Sequence, residues 1–331
     1  MTIREQLEIN EARFLSRRAA HSDDTGATIR LRPEEPCPYR TAFQRDRDRI
    51  LHCNAFRRLK RKTQVFLSPV GDHYRTRLTH TLEVAQVART ISRALFLNED
   101  LTEAIALGHD VGHAPFGHAG ESVLNAVCPH GYKHYQQSMR VVDCIEKNGE
   151  GLNLTQAVRN GIICHTNMIA DTLEGNVVRV ADRIAYINHD IEDAIRAGIL
   201  TPEDLPEAAV SVLGHTHTER ITTLVDAVIA HGTDSIDMAP DIRAAHDLLH
   251  AFMYEHVYHD LNAKAEEQKA KILLEELYRY FRRAPEKMPA LYQTIARKTD
   301  TDRAVCDYIS GMSDGYAVDL YQELFIPHFW K

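Results

Sequence analysis

Apolar residues recur at helical intervals along nearly the whole chain. Val84, Val87, Ala88, Ile91 and Leu95 follow an i, i+3, i+4, i+7, i+11 series, which places them on one face of an amphipathic helix. Asn98-Glu99-Asp100 ends that run, and Asp100 with Glu103 forms a capping pair for a next helix through Leu107. Pro115, between Gly112 and Gly117, predicts a loop, with helix resuming at Glu121. A further helix is expected from about Gly175 to Ala197, stopped by Gly198 as its C′ residue. Asn262 to Arg283 reads as a long charged helix with Ile272, Leu273, Leu277 and Phe281 on its apolar side. Strand signals are weak, and Thr63 to Leu67 is the best short candidate. Residues 201 to 245, with Pro202, Pro206, Gly214, Gly232 and Pro240, read as the loosest stretch. The pattern predicts an all-α protein with an N-terminal arm (1–40), a helical core (41–200) and a C-terminal helical region (201–331).

Composition narrows the class. A chain of 331 residues buries about three quarters of its unfolded surface, so neither a disulfide nor a metal is needed merely to fold it. Hydrophobic content of 44% with 26% charged residues excludes general disorder. Charge breaks the apolar runs well before the roughly 18 residues a membrane span needs. The first residues show no signal-peptide apolar region. The six cysteines (Cys37, Cys53, Cys128, Cys144, Cys164, Cys306) form no C-x-x-C pair and read as reduced thiols, so the expected location is cytoplasmic.

Charge changes the picture locally. The net charge is −8, yet Arg30 to Arg77 carries 13 Lys/Arg against 5 Asp/Glu, a local +8. Such a segment suits a polyphosphate ligand; its plainer reading is a solvated face or an ion-pair network between subunits.

Candidate chemistry concentrates in the run from Gly108 to Glu121, where His109-Asp110 is followed by His113, His118 and Glu121. His109 and Asp110 together offer an imidazole nitrogen and a carboxylate oxygen, a mixed set suited to a borderline or hard divalent metal. Adjacent donors cannot complete a coordination sphere, so others must come from elsewhere. His80 begins the first amphipathic helix, and Asp182 interrupts an otherwise apolar face (Val177, Val178, Ile184), where a carboxylate needs a partner.

This ordered set resembles the HD-domain metal-dependent phosphohydrolases, and within them the deoxyguanosinetriphosphate triphosphohydrolase-like family. The matching segments are Phe43 to Ile50, Ala55 to Lys60, Lys62 to Phe66, His73 to His80, His109 to Glu121, Ala181 to Asp193 and, more weakly, Ile309 to Asp314. The resemblance implies an HD fold with a C-terminal helical extension. It assigns His80, His109, Asp110 and Asp182 to a divalent metal (Mn, Mg, Co, Ni, Fe or Zn), and His118 and Glu121 to proton and water work. His113 and His134 then line the substrate phosphates, His113 close enough to share in catalysis. Arg77 and Arg183 fall near phosphate, Tyr186 and Asp190 near the sugar. His165 matches a family position, with a ligand role the lesser reading.

The implied activity is metal-dependent hydrolysis of a dNTP, dGTP foremost, to deoxynucleoside and tripolyphosphate, by a homo-oligomer. An HD nucleotidase, phosphodiesterase or single-strand exonuclease keeps the metal and changes the substrate, with single-stranded nucleic acid as partner. A nucleotide-binding regulator without turnover is the third reading.

The remaining expectations are plainer. His130, His215, His217, His231, His256 and His259 should lie at surfaces or helix ends, Glu192 and Asp193 on a solvated face or at subunit contacts, and Tyr254 and Tyr258 in the core or at an interface. Arg45, Arg47 and Arg49 could hold an oligomer together or bind an effector nucleotide. Gly315, where relatives often carry a larger or basic residue, suggests that an allosteric site in the C-terminal region is altered or absent.

Overall fold

The computed structural model describes residues 1–64, 75–258 and 261–327, with the side chains of 261–264 also outside the description. The described residues are helical with no β-strand; two isolated antiparallel bridges, Arg30 with Thr155 and Thr63 with Thr76, are the only extended pairing among them. Of the predicted strand, Val65 to Leu67 lie outside the described residues. The chain divides into two compact units, each drawn from three stretches.

The first unit comprises residues 1–52, 80–109 and 153–260. Its central element is the Leu173–Arg196 helix, which packs against the helices Glu99–Gly108, Gln156–Cys164, His217–His231 and Pro240–His256. Val177, Val178, Ala181, Ile184, Ala185, Ile187 and Ile191 of this helix are buried. Each large aliphatic side chain contributes about 1.5–3 kcal/mol by leaving water. Close approach is built from glycines: a Cβ on Gly161 would stand 2.4 Å from Ile105, and one on Gly175 2.6 Å from the Ala170 Cβ. The predicted face of the Arg77–Ala94 helix is borne out, with Val84, Val87, Ala88 and Ile91 buried. Asn98, rather than Asp100, caps the following helix, its side chain accepting from the Leu101 N–H. Asp100 instead pairs with Arg47 at 2.8 Å.

Residues 201 to 245 are largely helical, which corrects the loose reading. Their Pro and Gly residues mark helix boundaries: Pro206 and Pro240 stand at the starts of Glu207–Leu213 and Pro240–His256, while Gly214 and Gly232 cap helix ends at φ +110° and +85°. Several arginines of the basic segment are paired within the chain. Arg30 and Asp46 meet at 2.5 Å, Arg49 and Glu34 at 2.6 Å, and Arg45 and Glu34 at 3.3 Å.

The second unit comprises residues 53–79, 110–152 and 261–331. The Leu261–Arg283 helix packs on Gly117–Val127, Thr301–Ser310 and Asp314–Phe325. Leu124, Tyr132, Leu274, Leu277, Phe281, Val305 and Ile309 form its core. Leu277 and Phe281 are buried as predicted, but Ile272 is exposed and Leu274 and Tyr278 join the core, a shift of the buried face by about a quarter turn. The helix after Pro115 begins at Gly117, four residues earlier than the sequence suggested.

Candidate metal centre and histidine loop

In the first unit, three donor atoms converge. His80, near the start of the Arg77–Ala94 helix, places Nε2 3.1 Å from Asp182 Oδ1. His109, the residue that closes the Glu99–Gly108 helix, places Nε2 3.9 Å from the same oxygen. Both histidines are buried, and the Asp182 side chain is 21% exposed. Two donors each about 2.1 Å from one ion stand about 3 to 4 Å apart as the angle at the ion widens, so both spacings are compatible with ligands of a single cation.

The far side of His109 fixes its tautomer. Nδ1 lies 2.6 Å from the Ala106 carbonyl, one turn back, and donates to it; Nε2 is then the lone-pair nitrogen that faces Asp182. His165 makes the same contact with the Ile162 carbonyl at 2.7 Å, its ring centroid 5.0 Å from that of His109. The donor set of the first unit therefore fits a divalent cation. Burial alone would raise the Asp182 carboxyl; the His80 bond and the charges of His109 and His165 outweigh it and hold the group at about 2.

Asp182 shares its helix with other predicted substrate groups. Arg183 donates to the Thr166 carbonyl at 3.3 Å. The Tyr186 ring meets His250 edge-on at 6.0 Å, and burial first, then the Asp182 charge, push its hydroxyl pKa up. Asp190 is buried and accepts a short hydrogen bond from Tyr258. His189, which the sequence did not single out, lies next to Asp190; its Nδ1 is 3.0 Å from Glu83, and its ring stacks on His217 at 5.5 Å. His217 stands at a helix end as expected, the first residue of His217–His231, half-buried in this histidine pair, whereas Asp193 is buried and paired with Arg196 rather than solvated. His259 lies outside the described residues.

In the second unit, Asp110 follows His109 directly in the chain, and its Oδ2 accepts from Arg77 Nη1 at 2.6 Å. Both side chains are buried. Arg77 also donates to the Gln64 carbonyl at 3.2 Å. A nearby carboxylate is a strong holder of a guanidinium, so Arg77 Nη1 and the Asp110 carboxylate fix one another.

The loop after Asp110 is tightly determined. Gly112 lies against the Ser138 backbone, where a Cβ would stand 2.0 Å from its nitrogen. A Cβ on Gly120 would stand 1.9 Å from the Pro115 carbonyl oxygen. Phe116, at φ +60°, caps the Gly117–Val127 helix in a left-handed conformation that costs a non-glycine residue about 1–2 kcal/mol. This fold brings His113, His118 and Glu121 together, each offering a donor atom within 4.8 Å of the others.

Glu121 engages His134 rather than His118 alone. It accepts from the His134 N–H at 3.2 Å and lies 2.9 Å from His134 Nδ1. Burial lowers the proton affinity of His134, but the Glu121 hydrogen bond, with the Asp110 and Glu121 charges, reverses this and raises it. Glu121 is shifted downward overall, since the His134 bond outweighs burial. His113 stacks on His134 at 4.9 Å with 19° between planes, and its Nδ1 has no hydrogen-bond partner among the described residues. Burial first, then the Arg77 charge, hold His113 well below its ordinary value. His118 reaches solvent on one side and is lowered for the same two reasons.

Lys62 escaped the sequence reading as a functional residue. It is fully buried and donates to the carbonyls of His113 and Ser310 at 2.5 and 2.7 Å. Burial pushes its ammonium down to about 7. Nothing in Lys60-Arg61-Lys62 distinguishes the buried lysine from the two exposed basic residues before it.

The chain matches the HD domain family over residues 77–187 and a phosphohydrolase-associated domain over residues 236–323. It is 54% identical to a deoxyguanosinetriphosphate triphosphohydrolase-like protein of Caldanaerobacter subterraneus subsp. tengcongensis, over 100% of this chain and 98% of that one. A protein of the same description from Desulfatibacillum aliphaticivorans is 49% identical over 99% of each chain. One from Thiobacillus denitrificans is 39% identical over 93% of this chain and 96% of its own.

Proposed function

The chain belongs to the deoxyguanosinetriphosphate triphosphohydrolase-like family of HD-domain enzymes, and from that premise we propose that it cleaves dNTPs at the α-phosphorus, releasing deoxynucleoside and tripolyphosphate. The observation that carries this reading is the donor set of the first unit, in which two imidazole nitrogens face one carboxylate oxygen at 3.1 and 3.9 Å. We assign His80, His109 and Asp182 as metal ligands together with Asp110, the residue bonded to His109 in the chain. A divalent cation held by them would supply polarisation of a phosphoryl oxygen and would lower the pKa of water toward about 7.

The remaining work falls to the chain's own groups. Arg77 fixes the orientation of Asp110. His118, lowered and open to solvent, is largely neutral at pH 7 and accepts a proton there, returning it to the leaving 5′-oxygen. His134, raised by Glu121, carries positive charge to a higher pH and so suits the oxygens of the departing tripolyphosphate, with neutral His113 stacked against it. Arg183 supplies a guanidinium fork to phosphate, and Tyr186 and Asp190 address the sugar. Tyr186 remains a protonated donor across the physiological range.

The ion pairing of Arg30, Arg45, Arg47 and Arg49 favours a mononucleotide over a single strand, because those charges are already matched within the chain. The enzyme is proposed to act as a homo-oligomer. The test is product analysis: with Mn²⁺, Mg²⁺ or Co²⁺, purified protein releases tripolyphosphate from dNTPs, dGTP first among them, and Asp110→Ala abolishes the release. Pyrophosphate or orthophosphate as the product would refute the bond assignment.

A further inference from the structure

The histidine loop of the second unit carries a strained turn that its own sequence does not hold. Phe116 sits at φ +60° and Gly117 at φ +57°, two successive left-handed residues between His113 and His118. Phe116 is also the cap of the Gly117–Val127 helix and supplies no side-chain hydrogen bond to it. A bulky residue keeps such a conformation only where surrounding contacts over-determine it. The contact comes from about 200 residues further along. Asp314, the first residue of the Asp314–Phe325 helix, accepts from the Phe116 N–H through Oδ1 at 2.9 Å. Its other oxygen accepts from the Thr63 N–H at 2.8 Å and from the Thr63 hydroxyl at 2.6 Å. Lys62, one residue earlier, secures the same three segments through the carbonyls of His113 and Ser310.

We infer that Asp314 is a positioning residue for the phosphohydrolase reaction: it locks the Phe116 peptide and thereby sets where His113 and His118 stand. The inference rests on the function proposed above and adds to it a task for the C-terminal segment. Asp314 touches no reacting atom. It acts because a carboxylate can accept from both Phe116 and Thr63 at once, one oxygen for each, in a way an amide cannot. With asparagine at the position, one of the two oxygens becomes an NH2 group that faces an N–H donor. The loop must then release either Phe116 or Thr63.

The test compares Asp314→Asn with Leu277→Ala, a cavity variant in the core of the same unit, each assayed below its own melting midpoint. Asp314→Asn is expected to lower kcat for dNTP hydrolysis about 100-fold while KM stays within about threefold. It should also speed backbone hydrogen exchange over residues 112–121, whereas Leu277→Ala leaves kcat and that exchange near wild type. Retention of kcat within about threefold in Asp314→Asn, or an equal loss in Leu277→Ala, overturns the inference. Should Asp314→Asn not fold, Thr63→Val, which removes one hydroxyl donor without changing volume much, must still speed exchange over 112–121, and unchanged exchange overturns the inference. The exchange measurement reads the clamp even if wild-type protein yields no tripolyphosphate, so failure of the proposed activity and failure of this inference give different results.

Discussion

His80 Nε2 and Asp182 Oδ1 stand 3.1 Å apart although 102 residues separate them in the chain. The contact exists because the Arg77–Ala94 and Leu173–Arg196 helices each set a polar side chain among buried apolar neighbours, Val84 and Val87 on one and Val178 and Ala185 on the other. Burying either alone would cost several kcal/mol. Paired with each other and with His109, they form a site whose charge balance favours a cation.

Asp182→Ala is expected to weaken Mn²⁺ binding at least about 100-fold while leaving the helical content intact, because a carboxylate contributes both charge and a bond to the ion. Titration calorimetry on chelator-treated protein measures this. Affinity within about twofold of wild type would remove Asp182 from the ligand set.

The same carboxylate sets an acid limit for the metal-free protein. Its folded value of about 2 lies below the ordinary 3.8, so its stabilising contribution is full above pH 3.8 and is lost as pH falls toward 2. The shift corresponds to about 2 kcal/mol. Urea unfolding between pH 2 and 5 should show a steeper fall in wild type than in Asp182→Asn; parallel curves would contradict the assignment.

The Glu121–His134 pair predicts the opposite slope. His134 is raised in the folded state, so the pair's contribution is full below pH 6.5 and fades as pH rises through the folded value. In Glu121→Gln the burial, the Asp110 charge and the Arg77 charge remain, while the hydrogen bond to a carboxylate and the Glu121 charge are gone. The His134 ring should then titrate below 6.5, as read from its imidazole proton resonances. A ring that still titrates above 6.5 would mean that Glu121 is not the deciding cause and that the Asp110 charge suffices.

Two glycines give opposite signs. Gly120→Ala drives a methyl against the Pro115 carbonyl oxygen and should lower the melting temperature and the activity together. Gly315 lies in the first turn of the Asp314–Phe325 helix with nothing near its missing Cβ, so Gly315→Ala should stabilise by about 0.5–1 kcal/mol. Thermal unfolding of both variants checks the pair.

The sequence by itself determined the helical class, the apolar face of the Arg77–Ala94 helix, the end of the long helix near Gly198, and the residue types able to hold a metal. These features are local: periodicity, caps and donor chemistry are set within a few turns of chain. It misjudged residues 201 to 245 because Pro and Gly mark helix ends as readily as loops, and it placed Ile272 in the core because a helix with apolar residues on two sides does not declare which side meets a neighbour. Charge counting made Arg45, Arg47 and Arg49 look available, since their partners Glu34, Asp100 and Glu103 are not next to them in the chain.

Only the tertiary structure decided which partners the donors keep. Glu121 beside His134, Lys62 buried against two carbonyls, and Asp314 bonded to Phe116 and Thr63 all depend on contacts between residues 13 to 251 positions apart. The energy that selects such contacts is the cost of leaving a buried polar group unsatisfied, and that cost is set by the packing around it, which no single stretch of sequence contains.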